Sequence, residues 1–383
     1  MKGRKVNLSK NEQLNIGVVG LGVRSRILLS PILESEYARL AAVCDLNMEA
    51  MDRTLKDFKD VKRFDSYEEM LDKGNIDAVI LGTPMQMHAP QAIRALERGI
   101  NVYSEVVAAV SMEQCRELVI ACNKSKAKYM LGENFNYMKM VMIVKNIIES
   151  NILGEPYYAE SEYATNARGM ASDGTWRNEW MFGVNGITYG MHNLGPLLTW
   201  FKDDRVVRIC CEGSGNHYKK PDGNPIVLED SCVMLAKTEK DRLLKIRIDL
   251  QGSRPRLMKF SLQCTKGMFD SARSESENDI IWMEDIGDWS PKSYMDLDKF
   301  EGKHLPDIWR KYGEAAGRLR YGGRDFDYII MMDFIEALYN GRRMPVGIHE
   351  AMDMTVPCLL SQESIKLDGK WIEVPDSRTW QAL

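Results

Sequence analysis

Residues 14–26 read LNIGVVGLGVRSR: an apolar run from Leu14 to Val19, then Gly20-Leu21-Gly22, then a polar stretch able to open a helix. A second apolar run ends at Val43-Cys44-Asp45. Strand, glycine turn, helix and strand in this order open a nucleotide-binding βαβ unit. Gly20 lets the strand turn tightly. Gly22, just before Val23, removes a side chain so that backbone N–H groups can approach a pyrophosphate at the N-terminus of the helix. Asp45 stands 25 residues after Gly20, at the end of the second strand. A carboxylate there accepts hydrogen bonds from both ribose hydroxyls and repels a 2′-phosphate, so NAD is expected rather than NADP. The third glycine of the fingerprint is replaced by Ser25, which is small enough for a helix–strand contact. Beside it, Arg24 is either a solvated charge on the first turn or a phosphate contact.

Outward from this opening, helix and strand keep alternating. Helices are expected over 47–59, 66–73, 88–98 and 111–125, the second and fourth opened by Ser66 and Ser111 and the third stopped by Gly99. Strands are expected over 61–64, 76–81, 101–105 and 128–133. Such alternation means a parallel, doubly wound sheet, with the domain edge placed at 135/136. After a helix over 140–151 the composition changes to extended segments rich in Tyr, Val, Ile and Thr, at 157–165, 206–213, 230–237, 243–250, 259–263 and 267–270. The expected architecture is therefore an α/β Rossmann domain over 1–135 and an α+β domain over 136–383, the latter with a large open, mainly antiparallel sheet. Residues 271–299 read as sheet edge and loop, and helices return over 325–340 and 348–367.

The chain has 383 residues, 51 Lys plus Arg against 55 Asp plus Glu, and a net charge of −4, so nucleic acid is not an expected partner. The first dozen residues are polar, and no stretch approaches the roughly 18 apolar residues of a membrane span. No membrane partner is expected. Eight cysteines without any C-x-x-C suit reduced thiols, and a cytoplasmic location is expected. No His/Asp/Glu set has metal-ligand spacing, and no metal is expected.

Several longer stretches resemble the Gfo/Idh/MocA family, the glucose–fructose oxidoreductase and inositol dehydrogenase type: GVVGLG from Gly17, LGTPMQMHAPQAIRALERGINVYSEV from Leu81, LGENFNY from Leu131, and PVGIHEAMDMTVPCLLSQESI from Pro345. The resemblance runs from Leu14 to about Val374. It implies a Rossmann domain followed by an open-sheet domain, and oxidoreductase chemistry. Family members carry Glu-Lys-Pro where this chain has Glu105-Val106-Val107, and the lysine positions the reacting hydroxyl; Val106 cannot donate a hydrogen bond. Glu-Val-Pro is typical of a branch that includes NAD-dependent glycoside hydrolases acting on α-N-acetylgalactosaminides. This chain is similar to that branch again at Gly186–Pro196, and at Tyr321-Gly322-Gly323-Arg324-Asp325, where tyrosine replaces the branch's histidine.

The resemblance implies roles residue by residue. Thr83, Pro84 and His88 fall near the adenosine ribose and pyrophosphate, Glu105 orients the cofactor amide or ribose, and Asn134 joins the cofactor contacts. His192 is the expected base, since an imidazole titrates near neutrality and can take the proton of a sugar hydroxyl; otherwise it is a core histidine. Tyr189 is a proton relay or a packed aromatic, and the Tyr-x-x-His spacing puts both rings on one face if 188–200 is helical. Tyr137 contacts sugar or nicotinamide, or is an interface aromatic. Trp176 and Arg177, with Trp180, resemble a sugar platform, and Tyr321 is a further substrate candidate.

The expected function is NAD-dependent oxidation of a ring hydroxyl, at carbon 3, of a sugar or glycoside. One alternative is glycoside cleavage through transient carbon 3 oxidation; another, motivated by Val106, is a non-catalytic NAD-binding regulator. An uncovered antiparallel face also makes a homo-oligomer the expected state.

Overall fold

The computed structural model describes residues 12–56, 58–319 and 322–381, and the chain forms two units. The first contains the chain up to Asn134, Ile308–Met352 and the residues from Ser377; the second contains Phe135–Asp307 and Asp353–Asp376.

In the first unit, β1 (Leu14–Val19), β2 (Ala38–Cys44), β3 (Lys62–Phe64), β4 (Ala78–Leu81), β5 (Asn101–Ser104) and β6 (Tyr129–Leu131) form one parallel sheet in the order β3-β2-β1-β4-β5-β6. Strands β4, β5 and β6 are buried along their whole length, which their near-continuous apolar runs require of strands covered on both faces. The helices are α1 (Val23–Ile27), α2 (Leu29–Glu34), α3 (Met48–Thr54), α4 (Tyr67–Lys73), α5 (His88–Glu97) and α6 (Met112–Lys124). Ser66 and Ser111 cap α4 and α6 by accepting from the N–H of Glu69 and of Gln114, and Gly99 follows α5 at φ +72°. The helix expected over 47–59 shortens to α3. The strand expected over 128–133 stops at Leu131; the Gly132 N–H makes one more ladder bond to the Ser104 carbonyl, and a 3₁₀ turn begins at Asn134.

In the second unit, α7 (Lys139–Glu149), α8 (Arg177–Trp180), α9 (Met191–Trp200) and α10 (Glu301–His304) accompany nine strands. These are β7 (Pro156–Ala164), β8 (Val206–Gly213), β9 (Ser231–Thr238), β10 (Leu243–Asp249), β11 (Leu257–Cys264), β12 (Gly267–Asp270), β13 (Ile280–Met283), β14 (Met295–Asp296) and β15 (Ile372–Glu373). The order is β14-β13-β12-β11-β7-β10-β9-β8-β15. Every neighbour is antiparallel except β7 and β10. That parallel pair needs a long connection, which α8, α9, β8 and β9 supply. Helix α9, buried at nearly every position, packs against β7. Residues 271–299, expected as edge and loop, carry β13 and β14 at one sheet edge, and β15 at the other edge was not anticipated.

A single division at 135/136 does not describe the molecule. After α11 (Asp307–Ala316), helix α12 (Asp325–Tyr339) and the first turns of α13 (Ile348–Lys366) belong to the first unit. The cause lies in DFDYIIMMDFIEALY, which is apolar on almost every face and must be covered all round. Helix α12 packs against α2, and Phe334 meets Tyr103 of β5 edge-on at 5.3 Å. All eight cysteines are free, and no described helix is long and apolar enough to cross a membrane.

At the carboxyl ends of β1 and β4 the packing leaves no spare volume. A Cβ on Gly82 would land on the Ser25 hydroxyl, so the serine at the third fingerprint position is accommodated by glycine on the neighbouring strand. Gly82→Ala is expected to cost about 1–3 kcal/mol of stability through overpacking, and the pair S25G/G82A to recover most of it, as read by thermal unfolding.

Candidate functional site

In the first unit the glycine turn sits where the sheet order reverses between β1 and β4, beyond the strand ends, the place at which open α/β sheets bind ligands. Gly20 has φ +76°, and a Cβ there would press within 3.0 Å of the Gly82 carbonyl oxygen. Gly22 is different: nothing lies within 4 Å of a Cβ built on it, so its outer side is open to a ligand. The Asp45 carboxylate is held by two backbone donors, the Leu21 N–H on Oδ2 at 2.5 Å and the Asn47 N–H on Oδ1 at 2.8 Å. A carboxylate has further lone pairs for ribose hydroxyls. Exposed apolar side chains follow the carboxylate and the glycine turn, Leu46 at 90% and Val23 at 68% exposure, and such groups suit the face of a nucleoside base. An open glycine turn, a fixed carboxylate and an apolar rim fit NAD. Leu46 was not singled out from the sequence, where one leucine after an aspartate carries no signal.

Arg24 does not project as a free phosphate contact. Its Nε and Nη2 donate to Glu105 Oε2 and Oε1 at 3.2 and 2.9 Å, and its Nη1 donates to Asp327 Oδ1 at 3.0 Å. Burial works against the cation, but the Glu105 and Asp327 carboxylates overcome it and raise the guanidinium pKa. Asn134 Nδ2 donates to the same Asp327 oxygen at 2.6 Å. Two expected cofactor residues, Arg24 and Asn134, thus meet at one carboxylate absent from the sequence-based set, and a third, Glu105, joins them through Arg24.

His88 also departs from expectation. It is buried, with Nδ1 and Nε2 each 2.8 Å from a carbonyl oxygen, of Val107 and of Thr83. Burial lowers its pKa, while the two carbonyls act the other way. The ring ties the end of the β4 loop to the segment after β5. Thr83 bonds through Oγ1 to Gln91 at 2.6 Å, and Pro84 caps the turn at Met85–Met87. Val106 is buried, and the Val106–Val107 peptide is cis.

In the second unit the expected helix over 188–200 begins only at Met191, with 188–190 a turn. The two rings still meet: Tyr189 stands edge-on to His192 at 5.2 Å. The other neighbour, Phe135, stacks on the imidazole at 4.2 Å with an 18° interplanar angle and meets Tyr163 of β7 edge-on at 6.5 Å. Phe135 was not anticipated, although it stands in LGENFNY two residues before Tyr137, which is itself buried. The platform at Trp176 is partly covered by its own neighbour, since the Arg177 guanidinium lies 4.4 Å from the indole centroid. Tyr321 lies outside the described residues.

Comparisons with known proteins match two stretches of the chain to family models. Residues 14–133 match the model of an oxidoreductase family with an NAD-binding Rossmann fold, GFO_IDH_MocA, and residues 225–381 match that of the glycosyl hydrolase 109 C-terminal domain. The first stretch is thus similar to an NAD-binding oxidoreductase domain and the second to a glycosyl hydrolase 109 C-terminal domain. The chain is 25% identical over 398 residues to an alpha-N-acetylgalactosaminidase of Shewanella oneidensis, covering 96% of this chain and 85% of that protein. An NAD-binding oxidoreductase of Klebsiella pneumoniae shares the fold at a TM-score of 0.78, with 16% identity, covering 95% of this chain and 99% of that one. So does a levoglucosan dehydrogenase solved with NADH and levoglucosan, at a TM-score of 0.77 and 16% identity, covering 95% and 100%. These matches support an enzyme and lend nothing to the regulatory reading. Residues 134–224, which hold Tyr137, Trp176, Arg177, Tyr189 and His192, lie outside both matched models.

The NAD-binding domain makes Asp45 directly testable. Asp45→Asn is expected to weaken NADH binding roughly tenfold to a hundredfold, the worth of a charge-assisted hydrogen bond, while weakening NADPH binding less. Parallel fluorescence titrations with the two nucleotides measure both.

Proposed function

We propose that this protein is an NAD-dependent oxidoreductase acting on a ring hydroxyl, at carbon 3, of a sugar or glycoside. The observation that carries the reading is the aromatic seating of His192: Phe135 covers one face of the ring and Tyr189 stands at its edge. A stacked imidazole keeps its nitrogens in a fixed plane, so a hydroxyl approaching along that plane can hand over its proton. NAD, when bound, supplies the hydride acceptor for the same carbon. Tyr189, half-buried beside the imidazole, relays the proton onward, and Tyr137 contributes a phenol from the turn that also holds Phe135. Trp176 and Arg177 offer an apolar surface and donors of the kind a pyranose takes.

A second reading has a specific observation behind it, the glycosyl hydrolase 109 match over 225–381 and the alpha-N-acetylgalactosaminidase relative. In that case the ketone at carbon 3 acidifies the proton on carbon 2, elimination expels the aglycone, water adds, and the ketone is reduced again. His192 serves both readings. A panel of glucosides and galactosides separates them. Keto-sugar with NADH and no aglycone supports oxidation alone, and aglycone without net NADH supports cleavage; neither product across the panel would sink both.

The sheet of the second unit also supports a homo-oligomer. One face carries Val233, 36% exposed, beside the ion pairs Lys245–Glu160 at 2.9 Å and Arg247–Glu162 at 3.5 Å, a mixed surface suited to burial against a second copy. Light scattering on the purified chain tests this, and a monomer at micromolar concentration counts against it.

His192→Ala is expected to lower turnover by about 10²–10⁴-fold, the usual contribution of a general base. NADH affinity should stay within about threefold of the unsubstituted chain, as measured by fluorescence titration alongside initial rates.

A further inference from the structure

Asp327, in the first turn of α12, has an ordinary structural use: its Oδ2 accepts from the Arg324 backbone N–H at 3.0 Å and so caps the helix. A cap needs one carboxylate oxygen. The other, Oδ1, takes both the Arg24 Nη1 and the Asn134 Nδ2 donors, and the side chain is only 2% exposed. Arg24 follows the glycine turn by two residues, Glu105 is the first residue after β5, and Asn134 is the third after β6. The contacts of Asp327 therefore gather at the carboxyl edge of the parallel sheet, where the cofactor is read to lie, although Asp327 itself comes from 193 positions beyond Asn134.

We propose that Asp327 is a positioning residue for the cofactor edge, acting through Asn134 and Arg24. The inference rests on the NAD reading above. A carboxylate can only accept, so Asn134 must turn its Nδ2 toward Asp327 and its Oδ1 away. That Oδ1 is buried, and among the described residues it has no hydrogen-bond donor. A buried acceptor without a partner is costly unless a ligand supplies the donor, and both an amide N–H and a ribose hydroxyl of NAD have the right chemistry. Through Arg24, the same oxygen of Asp327 helps hold the guanidinium that grips Glu105 by two bonds. One carboxylate oxygen thus sets the direction of an amide acceptor and braces a second carboxylate.

The test compares NADH titration with thermal unfolding. Asp327→Ala frees the Asn134 amide to rotate and is expected to weaken NADH about tenfold, the scale of one hydrogen bond to a charged or well-placed group. Asp327→Asn keeps an oxygen that can accept both side-chain bonds but presents an NH₂ to the Arg324 N–H. It should lose melting temperature while holding NADH within about threefold of the unsubstituted chain. Asn134→Ala should weaken NADH about tenfold, and Asp327→Ala added to it should cost less than threefold more. A cap-only role predicts the opposite pattern, with NADH affinity following melting temperature in every variant, and that result overturns the inference. So does unchanged NADH binding in Asn134→Ala, which stays informative if Asp327→Ala does not fold. If the unsubstituted chain binds no NADH, the cofactor reading falls and this inference with it; normal binding that is indifferent to Asp327 and Asn134 overturns this inference alone.

Discussion

The structure depends most on the close approach of backbone to backbone where β1 and β4 end. Gly20 turns at a positive φ against the Gly82 carbonyl, and Ser25 fills the space that Gly82 leaves. If either strand end carried a larger residue, the first helix would be pushed off the sheet. With it would go Arg24 and the pair it makes with Glu105 at the end of β5. The same approach decides where the Leu21 N–H points, and that N–H fixes the Asp45 carboxylate. A steric condition at two glycines therefore governs the direction of the charges that define the site.

Those charges have an unusual balance. Arg24 is split between Glu105 and Asp327. A guanidinium in that position cannot also serve a pyrophosphate at full strength, because its Nε and both terminal nitrogens already donate. Gly22, just before α1, is by contrast open, with nothing within 4 Å of a Cβ built on it.

Much of this was legible in the sequence because it is local. The glycine turn, the Asp45 spacing, the serine caps at 66 and 111 and the alternation of strands and helices are each written within a few residues of where they act. What escaped was long-range or depended on a third dimension. Asp327 looks like one acidic residue in the first turn of an apolar helix, and nothing in its neighbourhood announces Arg24 or Asn134. Helix α12 could be recognised as a helix, yet its burial on nearly every face, which returns it to the first unit, was not converted into a domain assignment. His88, placed near the cofactor by a family-like stretch, has each ring nitrogen 2.8 Å from a carbonyl oxygen, a pairing that no local pattern announces.

The second unit shows how two residues can be brought together for a reason other than the one their spacing suggested. Tyr189 and His192 were paired by helical spacing, but the helix starts after Tyr189, and the contact arises from the turn that Gly190 closes by donating to the Ile187 carbonyl. What seats the imidazole is Phe135, a residue 57 positions earlier, lying parallel to it. Stacking of this kind excludes water from one face and limits ring rotation, so the ring nitrogens have few directions open to them. Phe135 begins the second unit immediately after Asn134 ends the first. The short stretch Asn134–Phe135 therefore supplies one residue to the carboxylate cluster and the next to the histidine, and chain connectivity alone keeps the two chemistries adjacent in sequence.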